Sequence, residues 1–316
     1  MAEGRSRVGD VVESVTRASE RMTWLDRPSY RLEHVMAWGL TLFGGASDRV
    51  RNTLSGTYVG HPAHPALTAL PVGAWSAAMV LDGVDMATRR APGFRDAAEL
   101  TIGVGVLGST VAAATGLADW QYTHDEIRRA GMVHGIVNGA ALGLCAASWR
   151  DRRRGRHGRA RALSGLGYGL TVASSFLGGN LTYRHQVGVD HSTNELGPAE
   201  YVAVLPAGEL EPGVPRRVVA AGVGIVLVAE GAEIRALGER CPHLGAPMVD
   251  GWLYRGDLVC PWHGSCFNLN AGTATRGPAS APLPTFEARE RDGQVEVRRR
   301  RGVRSAPPGE VSEHEG

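Results

Sequence analysis

A chain of 316 residues and 33.5 kDa is long for one domain and comfortable for two. Charged residues make up 21% with a formal net charge of +2, so no strong field points to nucleic acid. All 34 basic residues are arginine, which removes lysine Schiff-base and P-loop chemistry. Cys145, Cys241, Cys260 and Cys266 are too few and too scattered for a disulfide-stapled secreted scaffold.

In chain order, Met1–Asp10 is polar and lacks the apolar core of a signal peptide. Residues 1–55 are expected to form a charged helical arm. Its one apolar run, Val35–Gly44, is too short to span a bilayer and suits an interfacial or docking helix.

Residues 56–192 differ in composition. Ala66–Leu81, Ala97–Leu117, Ala130–Trp149 and Leu163–Tyr183 are poor in charge and rich in Ala, Gly, Val and Leu. Each is near the ~20 residues that a membrane helix needs. Small residues suit close helix approach in lipid, and Trp75, Trp120, Trp149, Tyr122 and Tyr183 lie mostly near the segment ends. A buried soluble bundle is the alternative, but its helices should carry a polar stripe, and these show almost none. The expectation is an all-α four-helix transmembrane bundle in contact with the lipid bilayer of the cell membrane.

Arg150–Arg161 holds seven arginines against one aspartate. Read as topology rather than as an RNA patch, it places that loop in the cytoplasm and both termini outside. Against this, the chain shows no N-terminal twin-arginine signal to export a folded domain. The balance leans to the extracytoplasmic side.

Residues 193–199 form a Gly-Pro linker, and 200–300 an all-β domain with short alternating runs at Tyr201–Leu205, Arg217–Ala221, Gly224–Ala229, Glu233–Leu237, Asp257–Val259 and Gln294–Val297. Residues 301–316, rich in Pro, Glu and Ser, read as a disordered tail.

Two short stretches carry the chemistry, C-P-H-L-G-A-P at Cys241–Pro247 and C-P-W-H-G-S-C-F at Cys260–Phe267. The pattern is Cys-x-His, sixteen residues, then Cys-x-x-His. A zinc finger would usually pair Cys with Cys and His with His. Mixed pairs suit a 2Fe–2S cluster with two cysteines on one iron and two histidines on the other, and zinc is the competing reading.

This segment resembles the Rieske family over about Tyr201 to Arg299. The resemblance implies small antiparallel sheets with two cluster-binding loops, in which Cys241 and Cys260 hold the inner iron and His243 and His263 the outer. It also matches Gly277–Pro284 to a proline-rich loop that covers the cluster. High-potential members brace the loops with a disulfide, where this chain has Ala246 and Trp262. They place a Ser and a Tyr to donate to sulfur, where this chain has Ser265 and Phe267. Cys266 and Cys145 are expected to be unligated thiols. Barely fifteen residues follow the β domain, too few for the large iron domain of a ring-hydroxylating oxygenase.

The helical half resembles an uncharacterised bacterial family of four-helix membrane domains. The matching pieces are G-H-P-A-H-P-A-L at 60–67, A-D-W at 118–120, G-M-V-H-G-I-V-N at 131–138 and the run from Phe176 to His191. An up-down bundle would bring His61, His64, His124, His134, His185 and His191 to one end. His61, His64, His134 and His191 are then candidates for a second redox site, a haem or a metal. The alternative is that they are turn, cap and interfacial residues.

The resulting expectation is a membrane-anchored iron–sulfur protein passing single electrons between a membrane partner and an acceptor, as a component of an oxidoreductase system. Quinone, cytochrome, ferredoxin reductase and oxygenase are the partner classes. A quinol- or haem-linked oxidoreductase and a redox sensor are the rival readings.

Overall fold

The computed structural model describes residues 7–88, 92–192 and 196–300, and the chain divides between Val189 and Asp190 into two units. Residues 1–6 of the expected arm, 193–195 of the expected linker and the 301–316 tail lie outside the described residues.

The first unit is helical: α1 (Arg7–Glu20), α2 (Asp26–Thr41), α3 (Ser47–Ser55), α4 (Ala63–Ala87), α5 (Pro92–Trp120), α6 (Asp125–Arg152) and α7 (His157–Tyr183). Pro62 sets the entry to α4, and Pro92 occupies the first position of α5, where its missing N–H costs nothing. Acidic Asp125 and Glu126 open α6 while Arg150 and Arg152 close it, each charge opposing the helix dipole. Gly155, at φ +72°, turns the chain back into α7.

α4 packs on α5, α5 on α6, α6 on α7, and α7 returns to α4. Glycines make these contacts close. A Cβ at Gly103 or Gly108 of α5 would fall 2.9 Å from the Trp149 ring or 2.8 Å from Leu70, and Gly105 seats the buried Trp75. In lipid such notches replace the hydrophobic drive that water would supply. The outward face carries apolar side chains, with Val80, Leu100, Leu107 and Leu166 all exposed.

The expected four-span bundle is matched in part: seven helices are present among the described residues, α1 to α3 of them within the expected arm, and three (Ala63–Ala87, Gly93–Trp120 and Asp125–Arg152) are long and apolar enough to cross a membrane. The fourth expected span lies in α7, which is 27 residues long but opens on His157, Arg159 and Arg161 and carries Ser164, Thr171, Ser174, Ser175 and Asn180. Its polar content, not its length, sets it apart.

One end of the four long helices is tied by buried charge. Arg152 donates to Asp82 at 2.8 Å, Arg95 reaches Asp85 at 2.9 Å, and Arg161 contacts both aspartates. Arg152 and Arg161 therefore belong to ion pairs rather than to an exposed basic loop. At the other end, Arg128 and Arg129 of α6 hold the N-terminal helices. Arg129 pairs with Asp26 at 2.7 Å, and the buried Arg128 reaches Glu33 at 2.5 Å while lying over the Tyr30 ring.

The second unit is built from two antiparallel sheets. Strands β1 (Val202–Pro206), β2 (Arg216–Ala220), β3 (Val223–Glu230), β4 (Glu233–Gly238), β9 (Thr285–Arg291) and β10 (Gln294–Arg299) form one sheet in the order β1-β10-β9-β4-β3-β2. The short β5 (Trp252–Tyr254), β6 (Asp257–Val259), β7 (Cys266–Asn268) and β8 (Ala274–Arg276) form the other in sequence order. Strand β3 divides two cores because its side chains alternate. Ile225 and Leu227 join Leu205, Phe286 and Val295 on one side; Val226 and Val228 join Cys241, Cys260 and Phe267 on the other.

The Asp82–Arg152 pair predicts a measurable asymmetry. Asp82→Ala strands a buried guanidinium and should cost about 3–5 kcal/mol, while Asp82→Ala with Arg152→Met should recover most of that loss. Thermal denaturation in detergent reads both; an unchanged melting temperature for the single variant would show that the pair contributes nothing.

Candidate metal centre

The two Cys-His loops close by the same backbone device. In the first, between β4 and β5, Cys241 N–H donates to Ala246 O at 2.9 Å and Gly245 N–H to Cys241 O at 2.8 Å. In the second, between β6 and β7, Cys260 N–H donates to Ser265 O at 2.8 Å and Gly264 N–H to Cys260 O at 3.1 Å. Each loop thus returns on a glycine four residues after its cysteine, at φ +76° and +70°, where a side chain is disfavoured.

Both cysteines are buried. Amides converge on their sulfurs: those of His243 and Leu244 on Cys241, and those of Trp262 and His263 on Cys260. The Cys241 thiol hydrogen-bonds to Cys260. That bond, with the two amides, holds Cys260 down to about 7, while the same bond and burial push Cys241 up. Such a nest favours negative charge on sulfur.

The histidines are half-buried, and their Nδ1 atoms face each other at 3.2 Å with ring planes 86° apart. Burial, reinforced by His263 and His191, pushes His243 down to about 3, so its imidazole is neutral, the form that binds metal. Two nitrogens sharing one metal at about 2.1 Å and a tetrahedral angle lie about 3.4 Å apart, so the pair has the spacing of co-ligands. Among the described residues no three His, Cys, Asp or Glu side chains surround a single ion. A two-iron cluster with two protein ligands per iron needs only pairs, and pairs are what these loops present.

Around this set, Ser265 is fully buried and its Oγ accepts from Ala279 N–H at 2.9 Å. The hydroxyl proton therefore remains to be donated elsewhere. Ala279 and Leu283 of the 277–284 segment pack in the same core as both cysteines and Phe267. Cys266 is buried, with Sγ 3.6 Å from Gly264 O, and Cys145 lies in the helical core. Trp262 is 57% exposed beside the His263 ring.

The second expected set is placed differently. His64 and His134 lie inside the helical unit and bridge helices. His64 Nδ1 is 2.8 Å from Ala112 O, with its ring against Gly116. His134 Nδ1 is 3.1 Å from Ser174 O, with Asn138 Nδ2 3.1 Å from its Nε2. His61 is exposed, and its Nδ1 turns to Pro62 O at 2.8 Å. His191 belongs to the second unit, where its N–H donates to Pro242 O at 3.1 Å and its ring lies beside Gly245. His124 precedes α6, and His185 meets Glu20 at 2.9 Å. These contacts are packing and interhelix hydrogen bonding, and no haem is supported. Sequence reasoning missed the sulfur-directed amides, the anchor at Ala279 and the place of His191 against the first loop. Only the last had a signal, its D-H-S turn just before the linker.

Two family descriptions match the chain, "Predicted membrane protein (DUF2231)" over residues 60–191 and "Rieske [2Fe-2S] domain" over residues 200–287. The human protein "Apoptosis-inducing factor 3" is 41% identical over 96 residues, 30% of this chain and 16% of that one. The chain thus spans about a sixth of the first curated relatives' length. "Ferredoxin CarAc" of Metapseudomonas resinovorans is 32% identical over 98 residues, 31% of this chain and 92% of that one. Among solved structures, "Ferredoxin of carbazole 1,9a-dioxygenase from Nocardioides aromaticivorans IC177" is similar at a TM-score of 0.31 and 23% identity, covering 32% of this chain and all of that one.

Loop geometry yields a graded test. Gly264→Ala forces a Cβ into the left-handed region and should cost about 1–2 kcal/mol, whereas Gly264→Asn should cost less, since Asn tolerates that conformation. Iron content per chain and thermal melting should both fall in the order Gly, Asn, Ala; equal behaviour of all three would show that the backbone there is not constrained.

Proposed function

We propose, for a chain that belongs to the Rieske [2Fe-2S] family through residues 200–287 and to the DUF2231 membrane family through residues 60–191, that it is a membrane-anchored one-electron carrier. A 2Fe–2S cluster bound in the two loops supplies one-electron oxidation and reduction. Cys241 and Cys260 hold the buried side of that group, and His243 and His263 hold the outward side.

The observation that carries this reading is the convergence of two buried thiols and two facing imidazole nitrogens from loops of identical backbone closure. The amides of His243, Leu244, Trp262 and His263 offset negative charge on the sulfurs. Ser265, whose Oγ accepts from Ala279 N–H, would have its hydroxyl proton free to donate to the bound cluster. Trp262, exposed beside His263, marks the face that a redox partner approaches. Ferredoxins and an oxygenase component among the relatives support a reductase or an oxygenase-like enzyme as the partner class.

In the helical unit, α7 crosses the bilayer as a fourth span beside α4, α5 and α6. Supporting this, its Ser164, Thr171 and Ser174 are buried while Leu166, Val172 and Phe176 are exposed. Arg150, Arg153, Arg154, Arg156 and Arg159 stay exposed around the α6–α7 turn, which favours a cytoplasmic turn and a second unit outside.

Two measurements test these readings. His263→Ala should abolish the Rieske-type EPR signal of the full-length protein; wild-type protein that purifies with zinc and no iron overturns the cluster. For sidedness, a cysteine at the exposed Glu211 should react with a membrane-impermeant maleimide on intact cells. Reaction only after lysis would put the second unit in the cytoplasm.

A further inference from the structure

Where the N-terminal helices meet the end of the bundle, a cavity of about 530 Å³ opens among the last turn of α1, Thr23, the first turn of α6 and the residue after α7. Four arginines line it, Arg17, Arg21, Arg129 and Arg184, against Glu20 and Glu126. Half of these charges are already committed. Arg17 pairs with Glu13, Glu20 meets His185 at 2.9 Å, and Arg129 is fixed by Asp26 and by the Glu20 carbonyl at 3.0 Å. Arg21 and Arg184 are exposed and, among the described residues, make no ion pair. The cavity therefore offers two guanidiniums and one carboxylate, Glu126, to a ligand.

Its level follows from its walls. Glu126 and Arg184 stand at the ends of α6 and α7, where the apolar helices give way to charge. The residues next in sequence to Thr23 and Arg184 are Trp24 and Tyr183, 68% and 88% exposed. Exposed Trp and Tyr beside a span end belong at the headgroup level of a bilayer. On α2 and its capping residue, Val35, Trp38 and Leu42 recur at spacings of three and four and are exposed as well, an apolar lane that only lipid or a partner would cover.

We propose that this cavity binds the headgroup of a membrane phospholipid, its phosphate between Arg21 and Arg184 and its donor end, an ammonium or a hydroxyl, at Glu126. Guanidiniums suit phosphate because their N–H groups form paired bonds to its oxygens. The carboxylate disfavours a simple inorganic anion and favours a headgroup carrying a donor. The exposed Trp24 and Tyr183, next in sequence to two lining residues, set the headgroup level of the site. This inference rests on the membrane-spanning reading above, and the two fail separately: release of the full-length protein by carbonate wash of membranes overturns the spanning, whereas the lipid test below applies to protein that stays.

The test uses full-length protein reconstituted in nanodiscs of phosphatidylcholine containing a minor fraction of phosphatidylethanolamine, then released gently for native mass spectrometry. Phosphatidylethanolamine, which has the donor that phosphatidylcholine lacks, should be retained about tenfold above its share in the disc. Arg21→Gln with Arg184→Gln should lower the total phospholipid retained per protein, of either headgroup, about thirty-fold, from roughly 1 kcal/mol per arginine. Arg153→Gln with Arg154→Gln, which removes equal charge at the other end of the bundle, should leave it unchanged. Because Arg21 and Arg184 are exposed and form no ion pair among the described residues, helical content by circular dichroism should not move. No enrichment, an amount of retained lipid indifferent to the Arg21 and Arg184 changes, or displacement of the lipid by millimolar inorganic phosphate would each overturn the proposal, the last by showing a site for free anions.

Discussion

Negative charge on buried sulfur has to be compensated, and the second unit is organised around doing so. Four backbone amides from two loops point at Cys241 and Cys260, and they do so because each loop folds back on a left-handed glycine. The loops are short enough to hold that curvature only if their ends are pinned. β4 and β6 lead into them, while β7 and the 277–284 segment close over the same core. The six-stranded sheet contributes by separating two cores, so that one side is given over to the cysteines and the other to ordinary aliphatic packing. Ser265 shows how tightly the parts are linked. A single buried hydroxyl joins the second loop to the covering segment through Ala279, so a change in either would disturb the other.

The helical unit meets a related constraint with different means. Its charges are gathered at the two ends of the long helices, where the cost of burial is offset by direct partners. Asp82 and Asp85 meet Arg95, Arg152 and Arg161 at one end; Arg128 and Arg129 engage the N-terminal helices at the other. Between these ends the helices rely on glycine notches filled by Trp75, Trp149, Leu70 and His64. Gly103, Gly105, Gly108 and Gly116 are the α5 positions that make room for these four side chains.

How much of this was legible in the sequence depended on the range of the interaction. Cys241, His243, Cys260 and His263 stood out because ligand spacing is local and rare. β1 to β4, β6 and β10 read as alternating runs. β5, β7 and β8 did not, and β9 hid behind a charged sequence in which Phe286 is the buried residue. The apolar length of α4, α5 and α6 was plain, whereas α7 looked equivalent only because its polar residues are small. Arg152 and Arg161 read as part of a basic loop, since nothing local reveals that aspartates some 70 to 79 residues earlier would take them. The histidines of the helical unit drew attention by number. Their partners, backbone carbonyls of neighbouring helices, leave no mark in sequence.

Joining these two units changes what the redox face must accomplish. Ferredoxin CarAc is matched over 92% of its length, so it is little more than the module that makes up a third of this chain. A free carrier of that size meets its partner by three-dimensional diffusion and needs enough affinity to dock at its own concentration. On the membrane-anchored reading, carrier and membrane partner share one surface, and their encounter takes place at an effective concentration set by the tether rather than by expression. A small docking face then suffices. The exposed patch beside His263 is of that kind, one indole next to two half-buried imidazoles. Weak docking also favours turnover, because a carrier that gives up one electron per visit must leave to be reduced again.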